Sequence, residues 1–312
     1  MANYKEELKA RILEERAAIE LIKITSDLSF ERSIELTIFR NQLIDKRSSE
    51  ILNLHEYAKA FVEKPINIKE TLAIAKAIAE SNITASKIDI GKLTFEWINE
   101  KDSYENIKGF IIEKLKFIDD TNIQFKPKDV ILFGFGRIGR LLARELMSQK
   151  GKGEQLRLRV IVLRNIDDQS IIKRASLLST DSVHGKFPGT VITDLENKAL
   201  IINGHSVKLV KASNPEEVDY TKYEINDALL IDNTGVYRDK KGLTRHLKAA
   251  GVSKVLLTAP GNEIPNIVFG ANHLKYDINL FDIFSAASCT TNAITPILKV
   301  VNDKLGIEKG HI

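Results

Sequence analysis

A single cysteine, Cys289, occurs in 312 residues, so no disulfide can form within the chain and a fold stapled by disulfides is excluded. Neither sign of charge forms long blocks. The 46 Lys and Arg against 42 Asp and Glu leave a formal net charge of +4, which gives no support to a nucleic-acid partner. No hydrophobic run approaches the roughly 18 residues that a membrane-crossing helix needs, so no membrane partner is expected. The opening MANYKEELKARILEERAAIE has neither the apolar core of a signal peptide nor a basic transit-peptide character, and a cytoplasmic, reducing setting is the expectation. Punctuating residues are also scarce at the front: up to residue 125 there are only Gly91, Gly109 and Pro65.

What is present is the composition of a soluble globular chain, 43% hydrophobic and 28% charged, with length enough for two domains. Residues 1–125 read as an all-α module. Leu8, Ile12, Ile19 and Ile22 recur near one helical face, as do Ile107, Ile111, Leu115 and Ile118, and TLAIAKAIAE (71–80) is rich in helix formers. Phe95 and Trp97 read as core filling, and no chemistry is assigned to this part.

The texture changes at FKPKDVILFGFGRIGR (125–140), where a Pro-containing linker leads to an apolar strand and a Gly-rich turn. Strand-like runs then alternate with helical ones: LRVIVLR (158–164), TVITDL, KALIIN with an Asn203-Gly204 turn before SVKLV, ALLID (228–232), a helix over 239–250 and KVLLTA (254–259). Such alternation predicts a mostly parallel sheet with crossover helices and a small antiparallel insertion at the Asn-Gly hairpin.

Gly134-Phe135-Gly136-Arg137-Ile138-Gly139 follows the strand DVILF directly and opens the helix RLLAREL. In a dinucleotide-binding turn the first glycine permits the turn, the second admits a pyrophosphate close to the backbone, and the third lets helix pack on strand. Amides at the helix N-terminus then face the phosphates. The acidic residue that accepts the adenosine ribose hydroxyls is expected after the second strand, within Arg164-Asn165-Ile166-Asp167-Asp168, and Asp167 is the better candidate. Arg164 offers the competing possibility of meeting a 2′-phosphate. NAD is favoured by the two carboxylates, with NADP left open. No metal site is expected.

Cys289 lies in FSAASCTTNAITPIL (284–298), between a strand-like run and a helix with Ile294, Ile297, Leu298 and Val301 at helical spacing and Thr290 and Thr291 as capping candidates. A thiol attacks as the thiolate, and the first amides of a helix favour that anion and can hold an oxyanion formed at a carbonyl. A thiolate beside a hydride-accepting nucleotide suggests aldehyde oxidation through a thiohemiacetal and a thioester.

GFGRIGR (134–140), DSVHGKFPG (181–189), NTGVY (233–237), HLKAAGVSKVLLTAP (246–260), FGANH (269–273) and SAASCTTN (285–292) together resemble, in family order from about Val130 onward, phosphorylating glyceraldehyde-3-phosphate dehydrogenase. The resemblance implies an α/β chain, with a Rossmann-type NAD(P)-binding domain at 126–287. The all-α module at 1–125 precedes it, and only the start of an α+β catalytic domain follows at 288–312. Cys289 is implied as nucleophile, and Ser288 and Thr290 as contacts to substrate or its phosphate. Gly134, Gly136, Arg137, Ile138, Gly139, Asp167, Thr234, Gly235 and Thr258 are implied along the cofactor. Glyceraldehyde 3-phosphate and inorganic phosphate are the implied substrates, in glycolysis or gluconeogenesis, and the full-length protein is implied to be a homotetramer. Erythrose-4-phosphate dehydrogenase is the alternative within the class, and a non-catalytic dinucleotide-binding protein the alternative outside it.

Three departures accompany the resemblance. The helical module looks like that of an extended form and has no implied role. Ser213, in KASNP, stands where many members carry an arginine near the adenine. The family's catalytic histidine and the residue that clamps the substrate phosphate fall, by this register, past Ile312, so the chain is expected to be C-terminally truncated and inactive alone. His311, in GIEKGHI, is not the expected base, and His184, in DSVHGKF, belongs to what looks like a structural loop.

Overall fold

The computed structural model describes residues 4–59, 62, 65–118, 127–148 and 156–311; the expected linker before Pro127 lies outside the described residues. The chain divides into two compact units, one within residues 1–126 and one that begins at Pro127.

The first unit is mainly helical. Its elements are α1 (Tyr4–Arg32), β1 (Ile34–Ile38), β2 (Asn41–Gln42), α2 (Ser48–Ala58), α3 (Ile68–Ala79), β3 (Ser86–Asp89), α4 (Ile90–Glu100) and α5 (Ile107–Leu115). The helical expectation holds with one correction to the all-α reading: β1 pairs with β2 antiparallel and with β3 parallel, giving a three-stranded sheet. IELTI has the β-branched residues of a strand, but it is short and its parallel partner lies far along the chain, at Ser86–Asp89.

Of the four α1 residues read as sharing one helical face, Ile22 is partly buried against the core while Leu8, Ile12 and Ile19 are exposed, and the helix packs mainly through Ala17, Ala18, Leu21, Thr25 and Leu28. Small residues there allow close approach of α2 and α3. α3 follows its expected pattern. Asn67 caps it by accepting from the amides of Lys69 and Glu70, and Leu72, Ile74, Ala75 and Ile78 are buried. Trp97 packs 5.4 Å from Phe110, as core filling.

The second unit contains β4 (Lys128–Phe133), α6 (Arg137–Leu146), β5 (Leu156–Leu163), α7 (Asp168–Ser179), β6 (Thr180–Asp181), β7 (Gly185–Lys186), β8 (Val191–Asp194), β9 (Ala199–Ile202) and β10 (His205–Lys211). β11 (Ala228–Asp232), α8 (Lys240–Leu247), β12 (Val252–Leu257), β13 (Ile283–Ser285) and α9 (Cys289–Leu305) follow. Among the described residues eight strands form one sheet in the order β13-β12-β11-β4-β5-β10-β9-β8. β13 through β10 run parallel, and β9 and β8 add antiparallel through hairpins. Asn203 and Gly204 both have positive φ, +49° and +86°, the geometry that an Asn-Gly hairpin turn requires.

β4 is buried from Val130 to Phe133, as a parallel strand covered on both faces must be. Val130 and Leu132 join the core on one face, and Ile131 and Phe133 the core on the other. No helix among the described residues is long and apolar enough to cross a membrane.

Candidate functional site

β4 pairs with β5 on one side and with β11 on the other, so successive crossovers leave it in opposite directions. A sheet of this kind opens a crevice at the carboxyl ends of the strands at that point. Here it is a cleft of about 450 Å³, lined by residues from the ends of β4, β5, β10 and β11, among them Gly134, Gly136, Arg164, Ser213 and Thr234.

The three glycines of the turn meet three different constraints. Gly134 has φ +91°, and a Cβ there would come within 2.9 Å of Thr234 Cγ2. A Cβ on Gly139 would lie 2.6 Å from the Gly134 carbonyl oxygen, so only hydrogen fits between helix and turn. A Cβ on Gly136, in contrast, would meet nothing within 4 Å among the described residues. Gly136 is also the N-cap of α6 and supplies no side-chain cap, which leaves the first amides for an anion. A pyrophosphate fits this cradle.

The surrounding loops are tied down from below. Arg137 donates to Ser182 Oγ at 3.0 Å and pairs with Asp181 Oδ2 at 3.4 Å; Ile138 is half exposed. Asp181, buried, accepts from the amides of Val183 and His184 and from the His184 ring, bonds that hold its carboxyl well below the usual carboxylate range. His184 therefore serves the loop that holds the start of α6.

Asp232, fully buried at the end of β11, accepts from the Thr234 amide at 2.7 Å and the Thr234 hydroxyl at 2.6 Å through Oδ1, and its Oδ2 lies 2.9 Å from His246 Nε2. Gly235 follows with φ +66°. The Thr258 amide donates to the Asp232 carbonyl, and its hydroxyl lies 3.2 Å from Asn233 Oδ1. Thr234, Gly235 and Thr258 thus form one connected loop system at the β11 end.

Asp167 does not line the cleft. It is the N-cap of α7, accepting from the Ser170 amide at 2.7 Å and from the Asn165 side-chain amide, and these bonds lower its pKa. Asp168 pairs with Lys198 at 2.7 Å.

Cys289 is exposed and is the first residue of α9. The cap is Ser288, whose hydroxyl accepts from the Thr291 amide at 3.0 Å; Thr290 and Thr291, the expected caps, lie inside the first turn. The three hydroxyls cluster, with Ser288 Oγ 3.0 Å from Thr290 Oγ1. Just before the cysteine, Ala287 holds φ +58°, a conformation that L-residues adopt at a cost. The turn is pinned by Asn292, which donates to the carbonyls of Ala286 and Ser288. Among the described residues Cys289 Sγ has no hydrogen-bond partner. His311 follows the far end of α9, whose rise from Cys289 to Leu305 is roughly 24 Å.

Sequence reasoning missed two parts of this arrangement. Arg174 lines the cleft and donates to the Phe135 carbonyl, and the Asp232–His246 pair lies beneath it. His246 lies within a quoted motif, but nothing local tells that it is buried or names its partner.

Residues 128–240 match the family model described as the NAD-binding domain of glyceraldehyde 3-phosphate dehydrogenase. A glyceraldehyde-3-phosphate dehydrogenase-like protein of Pseudomonas aeruginosa (strain UCBPP-PA14) is 41% identical over 298 residues, 94% of this chain and 64% of its own length, so the likeness takes in most of the first unit. Glyceraldehyde-3-phosphate dehydrogenase 2 of Nostoc sp. (strain PCC 7120) is 43% identical over 184 residues, 59% of this chain and 52% of its own length. Glyceraldehyde-3-phosphate dehydrogenase 1 of Bacillus subtilis is 35% identical over 178 residues, 57% of this chain and 49% of its own. The chain therefore spans less than two thirds of the length of these relatives. Residues 128–240 thus match the NAD-binding domain of the glyceraldehyde-3-phosphate dehydrogenase family, and the chain as a whole is similar to these members of it.

Proposed function

We infer that the protein oxidises glyceraldehyde 3-phosphate with phosphorylation, using Cys289 as nucleophile. The observation that carries this reading is the pairing, within one unit, of an open cradle at Gly136 with an exposed thiol at the start of α9, behind the strained Ala287 turn.

Gly134, Gly136, Arg137, Ile138, Gly139, Thr234, Gly235 and Thr258 would hold a nicotinamide dinucleotide, which supplies a hydride acceptor when bound. Cys289 Sγ adds to the aldehyde carbon, forming a C–S bond and a thiohemiacetal. Ser288 and Thr290 present hydroxyls to the substrate, and the α9 amides face its developing oxyanion. Oxidation leaves a thioester on Cys289, and an oxygen of inorganic phosphate attacks it, releasing the acyl phosphate and returning the thiolate. Residues 288–312 are the opening of the substrate domain in this reading, and residues 1–125 are an appended module.

The test mixes the chain with glyceraldehyde 3-phosphate and dinucleotide, without phosphate, and follows Cys289 by mass spectrometry. Acylation that is lost in Cys289→Ser supports the reading. Acylation elsewhere, or none, refutes it. Faster acylation by erythrose 4-phosphate would move the substrate assignment to the four-carbon sugar.

A further inference from the structure

The adenosine half of a dinucleotide lies past the end of the second strand of such a sheet, where a carboxylate in the cleft accepts the two ribose hydroxyls in an NAD site. That strand is β5, and the first residue after it is Arg164. Among the described residues lining the cleft there are two arginines, Arg164 and Arg174, and no carboxylate. We propose that this end of the cleft is built for a ribose carrying a 2′-phosphate, with Arg164 as the residue that pairs with it, so that the chain takes NADP in preference to NAD. This rests on the dinucleotide reading above and narrows it.

Three observations support the assignment. Arg164 is exposed in the cleft wall and makes no hydrogen bond or ion pair among the described residues, so its fork of donors is available. A guanidinium in that state matches a phosphate's oxygens two at a time, which a ribose diol cannot exploit.

The acids that would take the diol are engaged elsewhere. Asp167 accepts through one oxygen from the amide of Ser170 and through the other from the side-chain amide of Asn165, and it stays out of the cleft lining. Asp168 is paired with Lys198. The loop following β5 has thus turned its carboxylates to its own helix and to β9's approach, and left its guanidinium to the cleft.

Arg174 adds a second positive charge to the same wall. Its Nη1 donates to the Phe135 carbonyl at 3.2 Å, and its Nε is buried without a partner among the described residues. Ser213, beyond β10, completes the lining with a hydroxyl in place of a further cation. A site with this charge balance favours the ligand with the additional dianion.

The experiment is isothermal titration of the 312-residue chain with NADP and with NAD, each followed by adenosine 2′,5′-bisphosphate as a competing probe. NADP is expected to bind about 10-fold or more tightly than NAD, the gain of one charge-assisted hydrogen-bonded pair. Arg164→Ala is expected to erase that preference while leaving NAD affinity within about twofold, which also reports that the variant is folded. Asp167→Ala is expected to lower the melting temperature through the lost cap without selectively weakening NAD.

Equal or tighter binding of NAD by the unmodified chain overturns the proposal and leaves the dehydrogenase reading standing. A selective loss of NAD binding in Asp167→Ala returns the ribose to Asp167 and also overturns it. Binding of neither dinucleotide overturns the underlying reading and the proposal with it.

Discussion

His246 Nε2 lies 2.9 Å from Asp232 Oδ2, with both side chains fully excluded from solvent. A carboxylate only accepts, so Nε2 carries the proton. The ring is held edge-on between Phe133, at 4.8 Å, and Tyr237, at 5.7 Å, and its Nδ1 is buried without a partner among the described residues. Because the other oxygen of Asp232 holds both the amide and the hydroxyl of Thr234, the pair fixes the loop at the floor of the cleft from inside the core.

Asp232→Ala leaves three donors unpaired, the buried His246 Nε2 and the half-buried amide and hydroxyl of Thr234, and a buried one costs about 1–3 kcal/mol. Urea unfolding is therefore expected to show a loss of at least about 1 kcal/mol. Asp232→Asn keeps an acceptor for Thr234 and is expected to lose less, with dinucleotide affinity falling because the loop is less well held. Equal stability of the alanine variant and the parent would contradict this account of the pair.

Asp181 makes a prediction in pH. Its folded pKa is lowered by the amides of Val183 and His184, by the His184 ring and by Arg137. A carboxyl whose folded pKa lies below its unfolded value stabilises the protein above the unfolded value, about 3.9, and loses that contribution as pH falls through the folded value. Asp181→Asn is thus expected to lower the melting temperature at pH 7. The gap to the parent should stay constant down to about pH 4 and close below it. A gap that widens on acidification would have the wrong sign.

At the thiol, Ser288→Ala removes the cap of α9 and is expected to cost about 1 kcal/mol of helix stability. Hydrogen exchange should speed at the amides of the first turn, Thr291 above all, whereas Thr290→Ala should leave them protected. The reverse order would return the capping role to the threonine.

How much of this was legible in the sequence depends on the range of the interactions. The glycine turn, the buried β4 run and the Asn203-Gly204 hairpin are specified by neighbours in sequence, and each was readable. The β1–β3 pairing joins short runs separated by three intervening elements, and no local pattern announces it. On α1 the apolar residues Leu8, Ile12 and Ile19 recur along the sequence but lie exposed, while the packed stripe mixes Leu21 and Leu28 with small residues, Ala17, Ala18 and Thr25, which tolerate contact without advertising it. Ser288, Thr290 and Thr291 are all cap formers, and only the backbone at Ser288, φ −92° and ψ 161°, selects among them. Arg174 and the Asp232–His246 pair depend on how helices fold over the sheet, so their part in the site emerges only in three dimensions.

The central claim, that the turn from Gly134 to Gly139 cradles a pyrophosphate, is tested most directly by titrating NADP and NAD into the parent chain, Gly136→Ala and Gly139→Ala while recording their melting curves. A methyl on Gly136 meets no protein atom within 4 Å, so this variant should melt like the parent yet bind dinucleotide at least about 10-fold more weakly, since the methyl occupies the ligand's space. A methyl on Gly139 meets the Gly134 carbonyl oxygen at 2.6 Å, and that variant should be destabilised by about 1–3 kcal/mol. Undiminished binding by a stable Gly136→Ala chain would contradict the claim.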